Sequence, residues 1–427
     1  VGAISDGTDQ LETVNYTYRA EESEPGKRVV FLGKHPSGLI VKKTWSMVQG
    51  EEPGANYLLD LDIEVENSRS SQMRVPLERF SLFLGRAKPL HGKEFTKPGF
   101  FWREDGDFHT YDAVSDSKLK EGFLSRAQSL VSLREDEFDY AGVGSQLFAT
   151  VIRPDERTNG GAWAKGFETR LSGEEKPVFG ARGGYSLPTI TLAPGERKNL
   201  GYKVFMGPKD NRMLRQMGDG WGDVMNYGWF SIFSRFMNFL LVHIHDFVAK
   251  FADEWSWGWA IILVTIIVRA LMWPLYARSN RTMKRMAKLK PEMDRLKEKY
   301  PDDPAKMQQE VMGLYRKYGI NPVGGCLPML AQIPIFFGFY RMLQYAVELR
   351  GQGFLWVDDL SMPDTVAYVF GIPLNILPIV MGLSSFAQMA MMPNTSADKT
   401  QQTIMKLMPL MFFIFCYNFA SALALYW

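Results

Sequence analysis

Two cysteines, Cys326 and Cys416, are all that 427 residues contain, and both lie in apolar runs of the second half. The first half has none, so no disulfide framework argues for or against an oxidising compartment. Histidine is nearly as scarce, with five in the chain. His243 and His245 are two apart, so on a helix they point to different faces and do not pair as ligands. There is no G-x-x-x-x-G-K-[ST] phosphate loop, no H-E-x-x-H, no Cys/His cluster at metal spacing and no G-x-S-x-G. GVGSQL at Gly142 starts like a dinucleotide loop but lacks the third glycine and a βαβ setting. These absences leave an enzyme reading without support, and no cofactor or metal is expected.

Charge is missing from long stretches of the second half. Residues 1–225 hold 30 Lys+Arg and 33 Asp+Glu, as an ordinary water-soluble module does. Residues 226–427 hold the other 19 and 14, with 12 and 6 of these confined to 278–318. The mean hydropathy of −0.16 averages a soluble domain with a membrane domain and describes neither. The chain opens on Val1, without an initiator Met or a signal peptide, and closes at Trp427 inside the apolar run LALYW. Both ends are expected to be edges of a trimmed or partly ordered protein.

What is present in the first half is β-structure. In YLLDLDIEVENS, Leu59, Leu61, Ile63 and Val65 alternate with Asp60, Asp62, Glu64 and Glu66, the period-two pattern of a half-buried strand. SLPTITLAPGERKNLGYKVFMG supplies two more strands, with Pro194-Gly195 as the turn between them. Many short strands over residues 1–225 predict a large β-sandwich. Phe123 to Leu133 is read as a short helix within it.

After the Gly-rich joint GDGWGDV the period changes. Ser231, Ser234, Arg235, Asn238, His245, Asp246 and Lys250 recur at three- and four-residue spacing among Phe, Leu, Ile and Met. This predicts an amphipathic helix within 226–253, lying in a membrane interface or packed on the soluble domain. Four long apolar segments follow in 254–427, near 257–276, 323–347, 372–392 and 404–419, and another starts at Ser421. The first is 20 residues, about 30 Å as a helix, which matches the hydrocarbon thickness. Prolines inside the others, Pro328, Pro334, Pro378 and Pro409, are tolerated in membrane helices. The loop 278–318 carries a net charge of +6 (12 − 6), whereas 350–364 carries −2 from Arg350 against Asp358, Asp359 and Asp364. The positive-inside rule places 278–318 in the cytoplasm and the β-domain, one span earlier, outside.

Within 278–318, Met283, Met286, Leu289, Met293 and Leu296 repeat at helical spacing, YPDDP breaks the pattern, and Met307, Val311, Leu314 and Tyr318 resume it. This predicts a hairpin of two amphipathic helices. Its basic residues serve topology or simply solvate a face. Its methionines suit a surface that meets varied hydrophobic partners.

One residue breaks the oil of the first span. In WAIILVTIIVRALMWPL, Arg269 sits where an arginine costs roughly 2.5–3.5 kcal/mol on insertion-based scales. Snorkelling to the cytoplasmic interface is one outlet for its charge. Thr265 one turn before and Tyr276 two turns after continue a polar stripe, and Gln332, Ser384, Ser385, Gln388 and Asn418 add polar positions at membrane depth. No carboxylate lies within any span, so water or a ligand would satisfy the arginine, which predicts a wet, positively charged recess open toward the cytoplasm.

VTIIVRALMWPL, the basic hairpin, YGINPVGGCLPMLAQIPIFFGFYRML, QQTIMKLMPLMFFIF and the final LALYW together resemble the YidC-type membrane protein insertases, relatives of the mitochondrial Oxa and chloroplast Alb proteins. The likeness covers 227–427 in one consistent order. The β-domain, with YAGVGSQLFATVIRP, resembles the periplasmic β-supersandwich of Gram-negative members. The fold so implied is multidomain: a periplasmic β-supersandwich, then an α-helical polytopic membrane domain with a cytoplasmic helical hairpin. The resemblance implies an inner-membrane insertase and chaperone, working alone or with the Sec translocon. Its partners would be nascent membrane proteins, the ribosome and the lipid bilayer, with no nucleic acid beyond the ribosome. In the implied substrate groove, Arg269 matches the family's arginine and Thr265 its preceding polar residue. Gln332, Ile333 and Phe336 match client-contacting positions. Tyr426 and Trp427 fall at the final aromatic site, where Trp427 replaces the usual Tyr and so keeps a ring without the hydroxyl. Met283, Met286, Met293 and Met307 are the hairpin positions expected to touch clients.

Two other readings compete. A transporter or channel would also carry a charge in a span, but it predicts inverted repeats, broken helices or a paired acid, and the sequence has none. A sugar-binding β-domain on a membrane anchor would need a cleft with paired carboxylates and a histidine. His35, His91 and His109 have no such motif around them.

Overall fold

A computed structural model describes residues 2–5, 15–35, 38–68, 74–89, 98–112, 131–133, 138–157, 161–172, 177–300, 303–321, 323–391 and 399–427. The chain forms two compact units, Val1–Asn226 and Tyr227–Trp427.

The first unit is a sandwich of two antiparallel sheets. The larger has nine strands in the spatial order Tyr16–Tyr18, Arg28–Lys34, Leu39–Met47, Leu58–Asn67, Arg197–Pro208, Phe148–Pro154, Phe138–Gly144, Gly99–Glu104 and Asp107–Asp112. The smaller runs Ile4–Ser5, Ser81–Ala87, Val178–Ser186, Ala162–Thr169 and Val131–Leu133. Alternation works as the sequence predicts: Leu61, Ile63 and Val65 are buried while Asp62 is exposed. They join Leu82, Leu84 and Tyr185 of the smaller sheet in one core. On the outer face Arg197 pairs with Glu66 at 2.9 Å and Glu64 at 3.6 Å across the strand register. Gly195 makes the predicted turn with φ +78°, which a side-chain-bearing residue adopts less easily. The expected helix at Phe123–Leu133 is corrected at its C-terminal end. Residues 123–130 lie outside the described residues, and Val131–Leu133 is an edge strand paired with Ala162–Ala164. A β-branched, alternating V-S-L segment fits a pleated edge better than a helical turn.

The first unit closes on a short helix α1, Asn211–Gln216, followed by a helical turn at Trp221–Met225. Trp221 stacks on Tyr140 (5.8 Å, 14°) and meets Phe205. Beside it Arg103 bridges Asp139 (2.7 Å) and Asp223 (3.3 Å), which pins this turn to the nine-stranded sheet.

The second unit is helical: α2 Ser231–Val248, α3 Ser256–Lys288, α4 Lys290–Lys299, α5 Pro304–Lys317, α6 Val323–Tyr345, α7 Ile376–Met391, α8 Lys399–Cys416 and α9 Ser421–Tyr426. Among the described residues α3 is the helix long and apolar enough to cross a membrane, and Ile376–Met391 and Leu407–Cys416 are shorter apolar helices. Helix α2 packs on α3 and α6, α9 lies against α3, α6 and α7, and α7 packs on α8. A glycine permits the α2–α6 contact. A Cβ on Gly338 would stand 2.5 Å from that of Phe233, and Ser234 Oγ donates to the Gly338 carbonyl at 2.8 Å.

Two expectations change here. The first span does not stop before the hairpin, because α3 runs unbroken from Ser256 to Lys288. Backbone hydrogen bonding is indifferent to the switch from oily to basic side chains after Tyr276, and the break comes at Leu289, before Pro291. The third apolar segment, expected over 372–392, begins as a β-hairpin of Thr365–Val369 and Ile372–Asn375, and helix starts at Ile376. Gly371 (φ +80°) and Pro373 favour a turn and an extended strand over helix. Met392 lies outside the described residues.

Candidate functional site

Helices α3, α6 and α9 bring together most of the residues picked from the sequence. Arg269 is exposed on α3 and its Nη2 donates to the main-chain oxygen of Trp427 at 2.7 Å. Among the described residues no carboxylate pairs with it. Thr265, one turn earlier, donates its hydroxyl to the Ile261 carbonyl at 2.8 Å, so at rest it serves its own helix. Two turns beyond Arg269, the Tyr276 hydroxyl donates to Gln332 Oε1 at 3.1 Å, and Gln332 Nε2 donates to the Tyr426 hydroxyl at 3.4 Å. Tyr426 is buried and stacks on Phe339 at 4.1 Å.

An apolar wall stands beside this polar line. Phe336 is buried and meets Trp427 edge-on at 5.9 Å and Phe412 of α8 at 5.4 Å. Trp427 lies 4.4 Å from the Phe412 ring, and its indole Nε1 donates to Ser385 Oγ of α7 at 3.0 Å. Ile333, by contrast, faces outward. Phe412 was missed in the sequence reading because it is one of several aromatics in MFFIF, and period alone does not say which of them turns inward.

The hairpin methionines separate into two groups. Leu289, Met293, Val311 and Tyr315 form its core, with Met286 packed against them. Met293 is only 3% exposed and receives the Tyr315 hydroxyl at 3.5 Å, so it faces the partner helix and not solvent. That corrects its expected place on the surface: two short amphipathic helices need an apolar seam to hold together at all. Met283 and Met286 ride on the end of α3, and Met283 and Met307 lie outside that core, partly exposed. Asp303 caps α5 by accepting from Lys306 N at 3.0 Å. Burial pushes the Tyr315 phenol above its ordinary pKa, and the Glu292 carboxylate, 2.9 Å away, does the same for Tyr318.

In the β-sandwich, His35 meets Phe80 edge-on at 5.0 Å and His109 stacks on Trp102 at 5.1 Å. His91 lies outside the described residues. The buried acid Asp139 is held by Arg103 and Arg157.

Comparison with known proteins accounts for nearly the whole chain. The family described as "60Kd inner membrane protein" matches residues 247–427, and "YidC periplasmic domain" matches residues 2–240. A Membrane protein insertase YidC of Syntrophobacter fumaroxidans is 42% identical over 418 residues, covering 95% of this chain and 70% of that protein. The namesake from Pelobacter propionicus is 34% identical over 410 residues (94% and 69%), and that from Cupriavidus taiwanensis 39% over 410 (96% and 66%). The sandwich is thus the periplasmic domain, and the helical unit lies in the inner membrane. The chain belongs to the YidC family of membrane protein insertases.

Proposed function

We propose that this insertase moves short polar segments through a positively charged hydrophilic groove centred on Arg269, and that it also acts as a chaperone for inner-membrane proteins. It does so alone or beside the Sec translocon, and receives clients from the ribosome. The observation that carries this reading is the exposed Arg269 guanidinium within an oily helix, with no acid paired to it among the described residues. Such a charge lowers the cost of bringing a polar or acidic flank out of bulk water.

In this reading residues 1–225 form the periplasmic domain, 226–253 an interfacial helix and 254–427 the inserting part. The interfacial role of α2 draws support from Ile232, Phe236, Phe239 and Phe247 on it and Trp229 and Phe251 at its ends, all exposed, as suits the headgroup boundary. The hairpin, on the cytoplasmic side, meets the hydrophobic client segment at Met283 and Met307. The client's polar flank enters beside Arg269 and Thr265, with Gln332 and Tyr426 as further polar neighbours. Its apolar part slides along Ile333, Phe336 and Trp427 into lipid, drawn by its own transfer free energy. The membrane potential adds about 2.3 kcal/mol per translocated charge per 100 mV. No bond is made or broken.

The test is insertion of a short client with an acidic translocated tail into vesicles by the native protein, Arg269→Ala and Arg269→Lys. Loss with alanine and retention with lysine is the expected result. Normal insertion by a well-folded Arg269→Ala protein would remove the charge from the mechanism.

A further inference from the structure

Between α6 and α7 the chain carries an unusual projection. The strands Thr365–Val369 and Ile372–Asn375 form an isolated two-stranded ribbon with no charged residue in 365–375. Val366, Tyr368, Val369, Phe370 and Ile372 are all exposed, Phe370 completely. The two-residue turn holds Phe370 at φ 52° and Gly371 at φ 80°. Positive φ at both positions is the I′ geometry, which Asn-Gly adopts most readily and an aromatic residue does not. An oily residue therefore occupies a turn position where local backbone preference asks for a small polar one. Backbone strain kept at a tip points to a task for the side chain.

The ribbon's base is fixed. Asp364 accepts from Leu377 N at 2.6 Å and from Trp356 Nε1 at 3.3 Å. Thr365 Oγ1 lies 2.7 Å from Asn375 Oδ1, Asn375 Nδ2 donates to the Tyr417 carbonyl at 2.7 Å, and Tyr417 donates to the Pro373 carbonyl at 2.6 Å. The tip is thus carried on a rigid stalk tied to α7 and the end of α8. The loop that precedes it is tied to α3, because Phe354 meets Trp255 and Trp259 at the start of that helix. Trp255 and Trp259, both exposed, mark the end of α3 away from its basic hairpin, and Trp356, also exposed, lies in the loop that leads to the ribbon.

We propose that this hairpin is a wedge into the outer leaflet of the bilayer, with Tyr368, Phe370 and Ile372 seated at the boundary of headgroups and acyl chains. The inference rests on the placement of α3 across the membrane. Lipid is the occupant because the patch is apolar, carries no charge and joins α6 to α7 at the end of the helical unit where Phe354 meets the exposed tryptophans that open α3. A two-stranded ribbon leaves its outer backbone groups unpaired, so it cannot sink into hydrocarbon and stops where water and headgroups still reach it. The wedge holds the outer ends of α6 and α7 at a set depth, on the opposite side from the basic hairpin.

The experiment attaches a nitroxide spin label to Phe370→Cys, and separately to Tyr368→Cys, in a chain carrying Cys326→Ser and Cys416→Ala. The protein sits in nanodiscs of phosphatidylethanolamine and phosphatidylglycerol. Collision with molecular oxygen is compared with collision with a water-soluble nickel chelate. Leu271→Cys on the exposed side of α3 and Phe148→Cys on the sandwich serve as references. The expected result is several-fold protection from the chelate at 370 and 368 relative to 148, with full access to oxygen. Chelate access at 370 and 368 equal to that at 148, with 271 protected, overturns the wedge and leaves the placement of α3 standing. Shielding from both reagents means a protein covers the tip and overturns it as well. A chelate-accessible 271 overturns the placement of α3 and the wedge with it.

Discussion

The side-chain amide of Gln332 joins two tyrosine hydroxyls, accepting from Tyr276 at 3.1 Å and donating to Tyr426 at 3.4 Å, so a single residue of α6 ties α3 to α9 beside Arg269. Replacing it with leucine leaves both hydroxyls short of a partner. The expected cost of Gln332→Leu is about 1–2 kcal/mol of stability in detergent, with Tyr276→Phe costing about 1 kcal/mol. A double-mutant cycle on thermal unfolding checks this, and a coupling near zero would mean that the bonds are not formed in the working protein.

Asp364 supplies a carboxylate to the first turn of α7, where unsatisfied N–H groups favour negative charge. Asp364→Ala should destabilise the helical unit by about 2–3 kcal/mol. Asp364→Asn, which keeps an acceptor oxygen without the charge, should cost less. Melting of the helical signal in circular dichroism distinguishes the three proteins.

Lys43 is buried in the sandwich, where its ammonium reaches the Gly2 carbonyl and lies 4.1 Å from the Tyr16 ring centre. Burial lowers its pKa to about 7. The unfolded chain, with an ordinary lysine near 10.4, binds more protons between those two values. Stability contributed by this group is therefore complete above about pH 10.4 and falls away as pH drops to about 7. Lys43→Met should accordingly stabilise the sandwich most at pH 6, by a few kcal/mol, and least at pH 10. Denaturant unfolding of the β signal at both pH values tests the sign. A benefit that grows with pH would refute it.

Gly338 allows α2 to touch α6, with Phe233 standing where a Cβ would go. Gly338→Leu should force the helices apart, lose the Ser234 hydrogen bond and cost about 2–3 kcal/mol or more. A cysteine pair placed across α2 and α6 would report the change as slower disulfide cross-linking.

Sequence period went far where one period ruled a whole element. The alternation of 58–67 placed Leu61, Ile63 and Val65 in the core and Asp62 outside, because a strand with one buried face has no other stable register. Arg269 was legible because a charge in twenty oily residues has few explanations. The ends of elements were not legible. Hydropathy follows solvent, not backbone, so the passage from lipid to water after Tyr276 looked like the end of a helix that continues to Lys288. The same blindness merged the ribbon at 372–375 with α7, since both are oily and only Gly371 and Pro373 mark the join. Met293 was assigned to the surface although it is buried, because spacing identifies the shared face of two helices without saying whether that face meets a client or its neighbour.

An unbroken α3 has a mechanical consequence. Fourteen residues separate Arg269 from Met283, about 21 Å along one rod. A displacement of α3 at Met283 therefore reaches Arg269 through helix backbone, softened only where Pro274 lets the rod bend. Pro274, between the two, removes one backbone hydrogen bond and is the place where the rod can bend. The oily end and the basic end of α3 are thus parts of one rod, with its hinge already installed between them.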